Sequence, residues 1–401
     1  MSHRGRADLD FPRNWTVIHD VSLHLVTVDS KAPEGTAMRV TLWCGKLVVY
    51  CVAASLPLFA QEPPTPALNS PQARSSDTKK NYLVLDIVVT DKSGKTVTKV
   101  LEEKDFSVQD SGKPEKIIAF RAVPGEVLEV QPNDPPIKII LMVDEINTSF
   151  SKVGYERIQI ARFLQQNGGK LSHPVSMGYF SDKGIEVDDD STHDGNALLA
   201  SFDQHVTALR SSKESAGFYG TVERFQRSVN ALNSLAAKES HLPGRKMIIW
   251  MSPGWPLLSG PGVDLSPKQR DGMFATIVSA STALRLARIT LYSVDPVGVE
   301  NADSSTDSLY EEFLKPVTTA KKAQAGNLAL QVLARQSGGL ALRASNDISN
   351  QLNRCLADAD AYYTLAIDPA PADNAAMYHA VDVKVLPGLI ARTRDGYYVQ
   401  P

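Results

Sequence analysis

The stretch Asn133-Asp134-Pro135-Pro136-Ile137-Lys138-Ile139-Ile140-Leu141-Met142-Val143-Asp144 decides how the rest of the chain is read. Consecutive prolines lack N–H donors and block both a helix interior and a sheet ladder, so Pro135-Pro136 closes whatever precedes it. Ile137 to Val143 is then a nearly continuous apolar run, short for a helix and suited to a strand buried on both faces of a parallel sheet. It delivers Asp144 at its carboxyl end, where open α/β sheets place their ligands.

Downstream, strand and helix patterns alternate. Lys152 to Gln166 reads as a helix that Gly168-Gly169 terminates. Val175 to Tyr179 and Gly184 to Val187 read as strands, with a short helix from Asn196 to His205. Phe218, Val222, Phe225, Val229, Leu232 and Leu235 recur every three or four residues, the signature of an amphipathic helix. Met247 to Met251 and Ile289 to Val294 are further buried strands, with a helix from Met273 to Ala287 between them. Leu328 to Gln336 is a helix stopping at Gly338-Gly339, followed by a short strand, Leu340 to Arg343. The alternation predicts a doubly wound, mostly parallel, Rossmann-like α/β domain over 137–345.

Residues 81–132 read differently, as a small β module. Tyr82 to Thr90 is a strand with both faces largely apolar, and a turn at Asp91 to Lys95 leads to a second strand, Thr96 to Leu101. Phe106 to Asp110 and Glu115 to Arg121 form a hairpin around Ser111-Gly112. Residues 346–401 hold a C-terminal helix through Leu352 and Leu356 and strands at Tyr362–Ile367, His379–Val385 and Ile390–Tyr398. These strands either complete the N-terminal module or add antiparallel edges to the main sheet. The first is expected, because β segments flanking an α/β core often pack together.

With 401 residues, 43% of them hydrophobic and 22% charged, the chain has material for more than one compact unit. A net charge of −3 and the lack of a Lys/Arg stripe give no case for nucleic acid as a partner. Residues 38–60 read as a signal peptide. Arg39 and Lys46 supply a basic start, Leu47 to Ala60 an uncharged apolar run, and Ala60 a cut site before Gln61. The run is shorter than the ~20 residues of a spanning helix, so the mature chain is expected to carry no integral span, an uncleaved anchor being the alternative. Residues 61–80, rich in Pro, Ser, Ala and Gln, read as a linker. Residues 1–37 carry no targeting pattern and read as a non-translated or disordered leader, with Met38 as the start. Export to the periplasm or beyond follows as the expectation.

Cys44 and Cys51 fall inside the signal, which leaves Cys355 without an internal disulfide partner; it reads as a buried helix residue.

The sequence Asp144-Glu145-Ile146-Asn147-Thr148-Ser149 brings a resemblance into view. The chain resembles the von Willebrand factor A (VWFA) family, in particular the Acidobacteria-type VWFA-related proteins, over roughly Asn81 to Tyr398. Asp91-Lys92-Ser93-Gly94, Glu103-Lys104-Asp105-Phe106 and Gly112-Lys113 look like that family's upstream β segment. Arg392-Thr393-Arg394-Asp395-Gly396-Tyr397-Tyr398 looks like its C-terminal signature. The resemblance implies a VWA-like fold and a metal-ion-dependent adhesion site, in which a loop carboxylate, hydroxyls and a distant acid hold Mg²⁺ through oxygen. Carried over, Asp144 matches the first acid, Thr148 the second hydroxyl of its loop, and Thr221 the second-loop Thr. Ile146 stands where the first hydroxyl belongs, and Pro253 of Ser252-Pro253-Gly254 where the distant acid belongs. The expected site is therefore degenerate: Mg²⁺ binding at Asp144, Thr148 and Thr221 is weak or absent, and these residues instead cap helices and hold loops. Ser252 and Trp255 are the candidate rim for a protein partner.

Asp188-Asp189-Asp190 with Asp194 lacks the Gly and distal Glu of an EF-hand loop and reads as a solvated loop. The sequence has no Gly-x-Ser-x-Gly elbow, phosphate loop, His-Glu-x-x-His or dinucleotide fingerprint, and its histidines are scattered. The reading is an exported, non-catalytic, adhesion-type binding protein with a protein partner. A structural envelope component is the alternative, and a hydrolase with an unrecognised site a more distant one.

Overall fold

A computed structural model describes residues 82–123, 137–148, 150–207, 217–255, 265–296, 310–343, 345–369 and 376–399. The leader, signal and linker expected at 1–80 lie outside the described residues.

The apolar run after Pro136 forms β5 (Lys138–Asp144), whose residues from Ile139 to Asp144 are all buried. It lies inside a sheet with β6 (Lys170–Ser181), β7 (Gly184–Val187), β8 (Thr192–Asp194), β9 (Lys246–Met251), β10 (Ile289–Val294) and β11 (Ala341–Leu342). The order is β11-β10-β9-β5-β6-β7, with β8 also paired to β6. Side chains alternate between the sheet's faces. Ile140 and Met142 enter one core with Phe225, Leu232, Ile277 and Leu284, from α3 (Gly217–Ser240) and α4 (Pro267–Leu286). Ile139, Leu141 and Val143 enter the other with residues of α1 (Phe150–Leu164), α2 (Gly195–Thr207) and α6 (Ile348–Asp360). Fully burying one such Ile or Leu contributes about 2 kcal/mol, which is why the central strand carries almost nothing polar before Asp144.

The expectation of a doubly wound, mostly parallel VWA-like sheet is corrected here. The protein is mixed α/β, with two antiparallel sheets and a third that is only partly parallel. In that third sheet β5, β6, β9, β10 and β11 run parallel, but β7 and β8 both pair antiparallel with β6. A short turn reverses the chain after Ser181, with Gly184 at φ 103°, so no crossover helix intervenes and the returning strand must pair antiparallel.

The two antiparallel sheets draw on both ends of the described chain. One has the order β14-β1-β12-β4, from β1 (Leu83–Asp91), β4 (Ile117–Val123), β12 (Tyr362–Ile367) and β14 (Leu389–Arg392). The other has the order β15-β13-β2-β3, from β2 (Ser107–Asp110), β3 (Lys113–Glu115), β13 (Tyr378–Lys384) and β15 (Gly396–Tyr398). Leu85, Ile87, Val108, Leu365, Val381 and Tyr397 share one core between them. Three local expectations change, the first being the single strand expected over Ile390–Tyr398, which is two strands, β14 and β15, in different sheets. Thr96 to Leu101 forms only an isolated bridge, Thr96 with Thr90, because Leu101 turns inward and donates its N–H to the Tyr363 hydroxyl at 3.1 Å. The hairpin strand after Ser111-Gly112 ends at Glu115, and residues from Ile117 onward pair with β12 in the other sheet.

Polar bridges join these sheets to the α/β layer. Asp86 of β1 takes Arg288 in a two-pronged contact and the Thr364 hydroxyl at 3.0 Å. Asp358 of α6 takes Tyr292 Oη at 2.8 Å and Arg392 Nη2 at 2.5 Å, while Arg245 Nη1 donates to its backbone carbonyl. Cys355 is buried on the same helix.

Candidate functional site

The carboxyl ends of β5, β9 and β10 present Asp144, Ser252 and Asp295, all buried. Asp144 begins a tight turn rather than facing solvent. Its Oδ1 accepts the backbone N–H of Ile146 at 3.1 Å and of Asn147 at 2.9 Å. Asn147 Nδ2 lies 3.1 and 2.9 Å from its two oxygens, and Trp250 Nε1 donates to Oδ2 at 3.1 Å. Burial pushes the Asp144 carboxyl up from its ordinary range, and the bonds from Asn147, Ser252 and Trp250 oppose that shift.

This donor set tests the implied Mg²⁺. A hard cation needs free carboxylate lone pairs, and here N–H groups already engage both oxygens. Ile146 packs against the apolar core, and Pro253 supplies only its carbonyl, which accepts from Gln331 Nε2 at 3.5 Å. Among the described residues no group of three or more His, Cys, Asp or Glu has metal-holding geometry. The residues present do not fit the ion.

The other expected residues sit as follows. Thr148 is buried, and its hydroxyl makes no hydrogen bond among the described residues. Thr221 is half-buried on α3 and has partners of its own. From α3, Ser228, two turns on, reaches the Asp144 turn, its Oγ lying 3.0 Å from Asn147 Nδ2. Ser252 Oγ accepts from Gly254 N at 3.2 Å, and the hydroxyl helps to hold the Asp144 carboxyl down. Trp255, expected at an exposed rim, is only 2% exposed and packs edge-on against Trp250 with ring centres 5.4 Å apart. A wide indole beside an apolar core gains more from burial than from the surface, which removes Trp255 from any rim in this structure.

Asp188, Asp189, Asp190 and Asp194 do separate work. Asp194 Oδ1 caps α2 by accepting from Asn196 N and Ala197 N, while Asp189 lies 3.5 Å from Lys238. The Asp190 carbonyl accepts from Ser176 Oγ.

Sequence reasoning missed the ionisable neighbours of Asp144. Glu145 Oε1 lies 2.9 Å from His205 Nε2, and the imidazole stacks on Tyr179 at 3.6 Å between ring centres. Burial, then Asp144, Asp182 and Glu186, push Glu145 up to about 7, while burial holds His205 down. Glu156, 2% exposed, is raised well above the carboxylate range by burial, with Asp144 adding to the effect. A signal existed for Glu156: with Ile160 and Phe163 it falls on the inward stripe of α1, where a charge is out of place. The arrangement can hold protons and a fixed turn.

No family model matches the chain, and no curated protein does. Among solved structures it is similar to the pilus adhesin SpaC from Lactobacillus rhamnosus GG, at 9% identity and a TM-score of 0.32, covering 80% of this chain and 50% of that one. It is also similar to the human COPII-coat protein Sec24c, at 9% identity and a TM-score of 0.27, covering 67% and 44%. The chain thus spans about half the length of either. Likenesses this distant carry no argument about fold or function.

Proposed function

We propose that this is an exported, non-catalytic binding protein, related to the VWFA-related proteins, that engages a protein partner through the carboxyl-end loops of its α/β sheet without a metal. The observation supporting it is the closed donor set around Asp144. A carboxylate held by Ile146, Asn147 and Trp250 shapes the loop beside it and is not free for a cation or a substrate. Export rests on the Leu47 to Ala60 run, and kinship on the Asp144 loop and the Arg392 to Tyr398 segment. Among the described residues no helix is long and apolar enough to cross a membrane.

Affinity capture from envelope extract, using the full chain tagged at its carboxyl end, tests the reading. Asp182, exposed on the β6–β7 turn close enough to Glu145 to raise it, is the residue to reverse in charge. A discrete partner retained in a chelator and lost with Asp182→Arg is the expected result. Capture of the chain by itself would favour an envelope assembly role, and capture that requires Mg²⁺ would refute the metal-free reading.

A further inference from the structure

A second polar site lies away from Asp144, where the antiparallel sheets meet the α/β layer. Val84 and Asp86 of β1, Arg285 and Arg288 at the end of α4, and Thr393 and Arg394 between β14 and β15 line a narrow open cleft whose space for a water-sized group is only about 10 Å³. Gly338 makes this junction possible. At φ 92° it follows α5 (Leu330–Gln336), and a Cβ there would meet the Thr393 backbone at 2.7 Å, so only glycine lets that segment lie so close.

The charges in the cleft do not balance. Its one carboxylate, Asp86, is taken by Arg288 and Thr364. Arg394 is 8% exposed, yet among the described residues it makes no hydrogen bond or contact ion pair; Asp86 and Asp395 act on it only at longer range. Arg285 has a buried Nε with no partner, and its guanidinium lies 6.0 Å from the centre of the Tyr397 ring. Burial and the neighbouring Arg285 hold Arg394 down to about 10, against the opposing pull of Asp86 and Asp395. Two guanidiniums lining one space whose single carboxylate is already taken by Arg288 present donors that an oxyanion satisfies.

We propose that Arg285 and Arg394 form a binding site for a small free oxyanion of the phosphate or sulfate class. The ion would ligate both guanidiniums, remove their mutual repulsion, and tie the Thr393–Arg394 segment to the end of α4. It would stabilise the junction between the two layers without touching the Asp144 loop. The narrowness of the cleft favours a free ion over a large phosphorylated molecule, and Arg285, the more exposed of the pair, is the side chain that swings to admit it.

Thermal unfolding and calorimetry of the full chain, with inorganic phosphate and then sulfate against chloride at matched ionic strength, test the site. The expected result is a saturable rise in Tm with phosphate or sulfate and none with chloride. Arg285→Met should weaken that binding about tenfold or more, the size of a lost charge-assisted hydrogen bond. The same variant should be no less stable than the natural protein in chloride alone, because it removes one of two repelling cations; this keeps the test valid if Arg394→Met fails to fold. No saturable shift in the natural protein, or an equal shift in Arg285→Met, would overturn the proposal.

Discussion

Asn147 Nδ2 donates toward both carboxylate oxygens of Asp144, at 3.1 and 2.9 Å, and so stands where a cation would have to bind that carboxylate. An amide closes the turn. Mg²⁺ titrated into the natural protein should therefore give a flat calorimetric trace. Asp144→Ala should cost about 3 kcal/mol in chemical denaturation, since it strands buried donors on Asn147 and Trp250. A tight Mg²⁺ isotherm abolished by Asp144→Ala would show that the turn opens for metal.

Glu145 sets a pH dependence of definite sign. Its folded pKa, about 7, lies above the ordinary glutamate value of 4.5, so the folded state binds more protons between those pH values. Its contribution is intact below 4.5 and is lost as pH rises to 7, by an amount on the order of 1–3 kcal/mol. His205 is held low and works the opposite way, losing stability as pH falls below its ordinary value of 6.5. Comparison with Glu145→Gln isolates the first effect. Urea denaturation at pH 5, 6, 7 and 8 should show the variant gaining on the natural protein as pH rises, and parallel curves would contradict the assignment.

The order of elements was legible because each rests on local periodicity: β5 in the run after Pro136, α3 in the spacing from Phe218 to Leu235. Sheet direction was less so. Nothing in Gly184 to Val187 distinguishes a parallel strand from an antiparallel one, since direction is set by the short return from Ser181 and not by composition. The site was legible at Asp144, Thr148 and Ser252. Trp255 was misread because its burial depends on Trp250 across a loop. His205 was invisible because its partner, Glu145, lies 60 residues away. The Arg285–Arg394 cleft needs elements over 100 residues apart, which no window on the sequence can join.

The tail holds the N-terminal strands. Val88 to Asp91 of β1 pair with β14, and Ser107 to Asp110 of β2 pair with β13, so truncation after Asp368 leaves both strands with an open edge. Hydrogen exchange on the truncated chain should show lost protection at Val88–Thr90 and Val108–Asp110, while Ile139–Val143 in the central sheet stays protected. Equal protection in both regions would mean that these ladders contribute little to local stability.

Asp358 provides the sharpest test of how the layers are joined. It is 2% exposed, and its Oδ2 receives both the Tyr292 hydroxyl and Arg392 Nη2. Arg392 in turn donates Nη1 to the Gly338 carbonyl at 2.7 Å, so one ion pair spans α6, β10, β14 and the turn after α5. Removing one member of a buried pair leaves the other charged and desolvated, a loss of about 3–5 kcal/mol, whereas removing both is far milder. Asp358→Ala should therefore destabilise the protein by that amount, and Asp358→Ala with Arg392→Met by clearly less than the sum of the single changes. Denaturation midpoints for the four proteins of this cycle give the coupling. Strict additivity would mean that Arg392 finds water or another acceptor when Asp358 is gone, and that packing rather than charge holds the layers together.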